Sequence, residues 1–208
     1  MKESQRNSVT GLRQAAKSCR DCPLWANATQ TVFGEGDPHA RVMLVGEQPG
    51  DQEDLQGHPF IGPAGQLLDR ALEEAGVDRR TVYVTNAVKH FKWEPRGKRR
   101  LHKTPAQREI DACHQWLEGE IRAVKPQVIV ALGATAAKAI LGKDFRVTKQ
   151  RGKFMSSALA PFVFATLHPS AILRAPDEKS RAEGFRQLVT DCALIRRALS
   201  SKKIPQTA

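Results

Sequence analysis

Four short apolar runs interrupt an otherwise polar chain: Arg41 to Gly46, Thr81 to Val88, Gln127 to Gly133 and Phe162 to Leu167. Each is dense in Val, Ile or Phe without strict polar alternation, the pattern of strands covered on both faces. Segments with helical spacing lie between and after them. In Ala64 to Ala75, Leu67, Leu68, Ala71 and Leu72 share one face. Thr104, Pro105 and Gln107 read as an N-cap, a first-turn proline and the Gln of a capping box, opening a helix that runs to Val124 and stops before Pro126. Ala134 to Leu141, Glu178 to Leu199 and a short Val9 to Lys17 complete the helices. Strands alternating with helices predict an α/β protein, a three-layer α/β/α sandwich around a central four-stranded, mostly parallel sheet. The reading is one domain over 1–200 and a tail over 201–208.

In such a sheet ligands bind at the carboxyl ends of the strands. Those ends carry Glu47 to Asp51, Asn86 to His90, Gly133 to Thr135 and His168 to Ser170, all polar or glycine-rich. No phosphate-loop signature and no Gly-x-Gly-x-x-Gly follows a strand, which argues against a nucleotide-driven enzyme or a dehydrogenase.

Composition adds a partner class. The 208 residues carry 33 Lys and Arg against 22 Asp and Glu, a net charge of +11. More than half of that surplus sits in Lys89 to Lys103, which holds seven Lys or Arg and one Glu. Pro95 and Gly97 make this segment read as a loop, with Phe91 and Trp93 placed to stack on bases while the cations neutralise phosphates. A solvated charged loop is the alternative, and charge alone does not choose between them. No apolar stretch approaches the ~20 residues of a membrane span. The opening MKESQRNSVTGLRQ lacks the apolar segment of a secretory signal, so the reading places the protein in the cytoplasm with reduced cysteines.

Of the four cysteines, Cys19 and Cys22 form a Cys-x-x-Cys pair, and Cys113 shares an inward helix face with Ile110, Trp116 and Leu117. Cys192 lies in an apolar stripe with Phe185, Leu188, Val189 and Ile195 and reads as core. Three cysteines need a fourth partner to close a tetrahedral zinc site or hold a cubane cluster, and several histidines are available.

The segments Gly46-Glu47-Gln48-Pro49-Gly50-Asp51-Gln52-Glu53-Asp54, Pro59-Phe60-Ile61-Gly62-Pro63-Ala64-Gly65, Val84-Thr85-Asn86-Ala87-Val88-Lys89 and His168-Pro169-Ser170 resemble the uracil-DNA glycosylase superfamily in its iron-sulfur branch, over residues 19 to 195. The insertion Lys98-Arg99-Arg100-Leu101-His102-Lys103, with Gln48 in the first motif, resembles the X-type members (UdgX), which excise uracil and then stay covalently attached to the DNA. Type-4 members carry a cysteine where this chain has Lys89-His90, and in the X-type pattern a histidine fills that position. The resemblance therefore implies a 4Fe-4S cluster on Cys19, Cys22, His90 and Cys113, less negative than an all-cysteine cluster and of higher potential. The plainer reading of His90 is a phosphate contact.

Glycosidic cleavage leaves negative charge on the departing base and positive charge on the sugar, so donors must face the uracil oxygens. Asn86 offers an amide that suits the edge of uracil and Phe60 a ring to stack on the flipped base. By the resemblance, His168 donates to uracil O2 and His102 attacks C1′. Arg99, Arg100 and Lys103 are expected to disfavour protonation of His102. Glu47 is expected to orient the imidazole or accept its proton, Gln48 to contact uracil or the sugar, and Asp51 to assist. DNA, single- or double-stranded, is expected to lie against Lys98, Arg99, Arg100, Lys103, Ser170 and Arg174 and the helix start after Gly133, with Leu173 or Arg174 as the wedge. The reading thus expects a monomer that takes uracil-containing DNA and releases free uracil. Its alternatives are a multiple-turnover glycosylase of the same fold and a non-catalytic nucleic-acid-binding protein with a structural metal site.

Overall fold

The computed structural model describes residues 8–201, so the tail read for 201–208 lies, beyond Ser201, outside the described residues. In chain order the elements are α1 (Val9–Ala16), β1 (Val42–Gly46), α2 (Asp51–Gln56), α3 (Pro63–Glu74), β2 (Val82–Asn86), β3 (Trp93–Arg96) and β4 (Arg99–His102). They continue with α4 (Gln107–Val124), β5 (Val128–Leu132), α5 (Gly133–Leu141), α6 (Val147–Gln150), β6 (Phe162–Thr166), α7 (Pro169–Leu173) and α8 (Glu178–Ser200).

Alternation within each apolar run decides the layering. Met43, Val45, Tyr83, Ile129, Ala131, Val163 and Ala165 pack on one side with residues of α1, α4 and α5. Val42, Leu44, Val82, Val84, Val128, Val130, Phe162 and Phe164 pack on the other with residues of α3, α7 and α8. Every residue of the four long strands is buried, which is why the runs show no polar alternation. The sheet order is β2-β1-β5-β6, parallel throughout, with Val42 opposite both Val82 and Val128. This is the expected three-layer α/β/α sandwich. No helix among the described residues is long and apolar enough to cross a membrane.

Three local expectations change. The helix after Pro105 begins at Gln107, with Ala106 in the capping position. The Glu109 carboxylate accepts the Ala106 N–H at 2.6 Å and pairs with Lys92 Nζ at 2.9 Å, so the helix start is fixed by the acidic partner of a capping box and not by Thr104. The basic segment is not an irregular loop: β3 and β4 form an antiparallel two-stranded ribbon with Arg96 opposite Arg99. Gly97, at φ +59, allows the two-residue turn that joins them. Phe91 is only 1% exposed and is therefore core, not a surface for bases.

Lys89 also leaves the surface. Its Nζ lies 2.5 Å from Glu120 Oε2 and donates to Thr85 Oγ1 and the Asn86 carbonyl, both at 2.7 Å. Glu120 accepts in addition from Gly34 N–H, Tyr83 OH and Thr85 OH. A buried ion pair persists when its remaining hydrogen-bonding capacity is filled, as here. The network fixes the turn after β2 against α4. The amides of Ala87 and Val88 reach the carbonyls of Gly46 and Glu47, holding that turn against the end of β1.

Candidate active site

The strand order reverses direction at β1, which lies between β2 and β5. A crevice opens at such a switch point beyond the carboxyl ends of the strands. It holds a cavity of about 510 Å³ lined by Glu47, Gln48, Asp51, Phe60, Asn86, His102, His168, Ser170, Leu173 and Arg174 among others. All residues predicted for catalysis and for uracil are thus brought to one place.

The floor is shaped by a glycine. A Cβ on Gly46 would sit 2.4 Å from Asn86 Oδ1 and 2.7 Å from Phe60 Cζ, so only glycine lets amide and ring converge there. Phe60 itself has φ +59, rare for an aromatic residue, and is 8% exposed. Its carbonyl lies 1.7 Å from where a Cβ on Gly65 would be, so α3 and the Phe60 turn close on each other through that glycine. Asn86 is 3% exposed at the end of β2.

The wall opposite Phe60 is His168, with ring centroids 6.4 Å apart and planes 27° from parallel. Nδ1 of His168 accepts the Ser170 N–H at 3.1 Å and faces the Ser170 hydroxyl at 2.7 Å. An accepting Nδ1 in a neutral ring leaves the proton on Nε2. Burial pushes the His168 pKa down to about 4, against the opposing pull of Glu47. The ring is therefore a neutral donor over the whole ordinary pH range. Ser170, expected on DNA, is occupied in fixing this tautomer. Gly133, at φ +86, carries no Cβ because one would lie 2.8 Å from that of His168.

At the mouth, β4 presents His102, 43% exposed, with Nε2 3.3 Å from Glu47 Oε1. Its ring lies 6.1 Å from that of Phe91, tilted by 44°. The other carboxylate oxygen of Glu47 accepts from Thr135 Oγ1 on α5. Burial raises the Glu47 pKa, but the hydrogen bonds from His102 and Thr135 outweigh it and the net shift is downward.

Gln48 and Arg100 at this mouth have partners within the protein. Gln48 donates through Nε2 to the carbonyls of Lys92 at 3.2 Å and Lys103 at 3.0 Å, and its Oε1 accepts the Lys92 N–H at 3.1 Å. The amide, while lining the cavity, thus also closes the base of the ribbon, a role additional to the expected contact with uracil or sugar. Arg100 pairs with Asp51 and Asp54, each at 2.6 Å, and is 19% exposed, so it tethers β4 to α2. Lys103 pairs with Glu94 at 2.8 Å. Two of the cations near His102, Arg100 and Lys103, are therefore compensated, Arg99 is not, and the charged group facing the imidazole is a carboxylate. Asp51 anchors Arg100. Among the described residues, Arg96, Lys98 and Arg99 at the ribbon tip make no ion pair and are exposed. Leu173 is 43% exposed at the rim, beside Arg174.

A second cluster lies behind the ribbon. Cys19 and Cys22 follow α1 and approach Cys113, which is buried on α4. Burial pushes the Cys113 thiol up to about 12, with Cys22 and Cys19 adding to it. The Lys89 N–H donates to Cys113 Sγ at 3.2 Å and Trp116 Nε1–H to Cys19 Sγ at 3.3 Å, and Cys19 Sγ–H donates to Asp21 Oδ2 at 3.4 Å. His90 is 4% exposed, and burial lowers its pKa despite Asp54. Thr31 Oγ1 donates to the Ala16 carbonyl at 3.0 Å and so can only accept from His90 Nε2, also at 3.0 Å. This leaves the lone pair on Nδ1, the form in which imidazole binds a metal. The donor set of three sulfurs and one neutral imidazole fits an iron-sulfur cluster with mixed ligation. Among the described residues no three His, Cys, Asp or Glu side chains converge closely enough for a single metal ion. Cys192 lies in the core at 0% exposure.

Fold and cavity place an aromatic side chain, a buried amide and a neutral imidazole donor around one space, an arrangement suited to a small planar polar ring. The model of the uracil DNA glycosylase superfamily matches residues 33–192, and the chain belongs to that superfamily. It is 40% identical to a type-4 uracil-DNA glycosylase of Thermotoga maritima over 179 residues, 86% of this chain and 87% of that protein. It is 37% identical to a type-4 uracil-DNA glycosylase of Sulfurisphaera tokodaii over 191 residues, 88% and 84% of the two chains. A type-5 uracil-DNA glycosylase of Pyrobaculum aerophilum is 33% identical over 181 residues, 79% and 76%.

Proposed function

We propose that the protein excises uracil from DNA and then bonds His102 to C1′ of the abasic deoxyribose. The observation that carries this reading is the placement of His102 beside Glu47 at the mouth of the cavity that holds Phe60, Asn86 and His168. Uracil stacks on Phe60, Asn86 reads its edge, and His168 Nε2–H donates to the oxygen on which charge accumulates. The glycosidic electron pair leaves with uracil. The lone pair of an imidazole nitrogen of His102 forms the new bond to C1′, and the proton of the other ring nitrogen is released with Glu47 as the nearby acceptor. Uracil takes up a proton and departs. Arg96, Lys98 and Arg99 at the ribbon tip and Arg174 at the rim hold the DNA backbone.

Cys19, Cys22, His90 and Cys113 would hold a 4Fe-4S cluster, which supplies a rigid link between α1, α4 and the start of the ribbon. The type-4 relatives support the glycosylase reaction, and the ribbon with His102 supports the covalent step.

A denaturing gel tests the proposal. Protein mixed with a uracil-containing oligonucleotide is expected to give a band of protein plus DNA that survives detergent and heat, and His102→Ala is expected to abolish it. Alkali-labile sites without that band would point to turnover, and unchanged DNA to binding alone.

A further inference from the structure

We infer that Thr135 is a positioning residue for covalent capture, acting through Glu47; the inference rests on the reading of His102 given above. Three features of the site carry it. The Thr135 hydroxyl, 8% exposed in the first turn of α5, donates to Glu47 Oε2. The opposite oxygen, Oε1, is the one that faces His102 Nε2. The two contacts divide the carboxylate between a fixed donor on α5 and the imidazole on β4.

A carboxylate held at one oxygen cannot turn away from the ring, so the Thr135 bond fixes the orientation of the group that receives the imidazole proton. A hydroxyl in a first helical turn has backbone groups of its own helix within reach. This one crosses instead from the end of β5 to the residue after β1, spanning the switch point itself. The same bond stabilises the ionised form of Glu47 and keeps it available as acceptor. The other charged or titratable groups around the carboxylate are His102 on β4, His168 ahead of α7, Arg174 at its end, and Asp51 and Glu53 on α2, which line the same cavity.

The test follows crosslinking rate against pH under single-turnover conditions, with melting temperature as control. Thr135→Val is expected to slow capture by roughly tenfold to a hundredfold, the range of one hydrogen bond to a charged group. It is also expected to move the acid limb of the profile to higher pH, because the carboxylate then protonates sooner. His102 and His168 are present in both proteins, so the displacement reports Glu47. Thr135→Ser is expected to restore both rate and limb. Should the valine variant fail to fold, Thr135→Ala against Thr135→Ser makes the same comparison. In a Glu47→Gln background, Thr135→Val is expected to add no further loss. A wild-type rate and acid limb in Thr135→Val, or a full additional loss in the double variant, would overturn the inference while leaving the covalent reading intact. Absence of any crosslink by the wild-type protein would overturn both.

Discussion

Two histidines share the cavity under different constraints. His168 is held neutral by burial and its tautomer is set by Ser170. His102 is at the surface and faces a carboxylate. The first arrangement has a consequence for stability. With a folded pKa of about 4 against an unfolded value of 6.5, the unfolded chain binds a proton in that window that the folded chain refuses. Stability therefore falls as pH drops from 6.5 towards 4, and His90, also lowered by burial, adds in the same direction. Melting temperatures measured from pH 7 to 4.5 are expected to decline, and less steeply for His168→Gln than for the wild-type protein. Glu47, Asn86 and His168 were readable in the sequence because they stand at the ends of apolar runs, whereas Phe60 and His102 follow no such run and were assigned by the resemblance. Thr135 was visible there only as part of a helix start after Gly133. Its partner, Glu47, lies 88 positions away, and nothing local announces that contact.

Among the elements, the β3–β4 ribbon departs most from what the residues suggest. Its eight strand residues are mostly charged or exposed and bury no continuous apolar face, so neither period 2 nor a turn motif separates it from a loop. Contacts from outside hold it: Gln48 at its base, Arg100 on Asp51 and Asp54, and Trp93 Nε1–H on the Asn27 carbonyl at 2.8 Å. The four long strands, by contrast, were legible to within two residues at each end because burial on both faces writes an uninterrupted apolar run. If Gln48 serves the ribbon, Gln48→Ala loosens the seat of His102 while leaving Phe60, Asn86 and His168 in the cavity unchanged. Crosslinking is expected to slow by more than about tenfold while uracil release stays within a few-fold, since misplacement of a reacting group costs far more than its lost hydrogen bonds. Single-turnover assays of released uracil and of adduct separate the two. Equal loss of both would place Gln48 in the base pocket after all.

At the scale of the whole molecule, more than half of the cations in the basic segment are paired with carboxylates. Of the cations between Lys89 and Lys103, Lys89, Lys92, Arg100 and Lys103 are paired with carboxylates. The cations of this segment that are exposed and without an ion pair among the described residues are Arg96, Lys98 and Arg99, at the ribbon tip. The proposed cluster on Cys19, Cys22, His90 and Cys113 would join the end of α1, α4 and the turn after β2, elements far apart in sequence. A group bound only by the folded chain adds its binding free energy to stability. Purified protein is expected to show broad visible absorption and about four irons per chain, and stripping them to lower the melting temperature. A colourless protein with one zinc would exclude the cluster.

In the proposed function His102 becomes the point of attachment. This is tested most directly by digesting the adduct with protease and nuclease and locating the added deoxyribose by tandem mass spectrometry. The mass is expected on His102, and an adduct on Glu47, on a lysine, or on no residue would overturn attachment through His102.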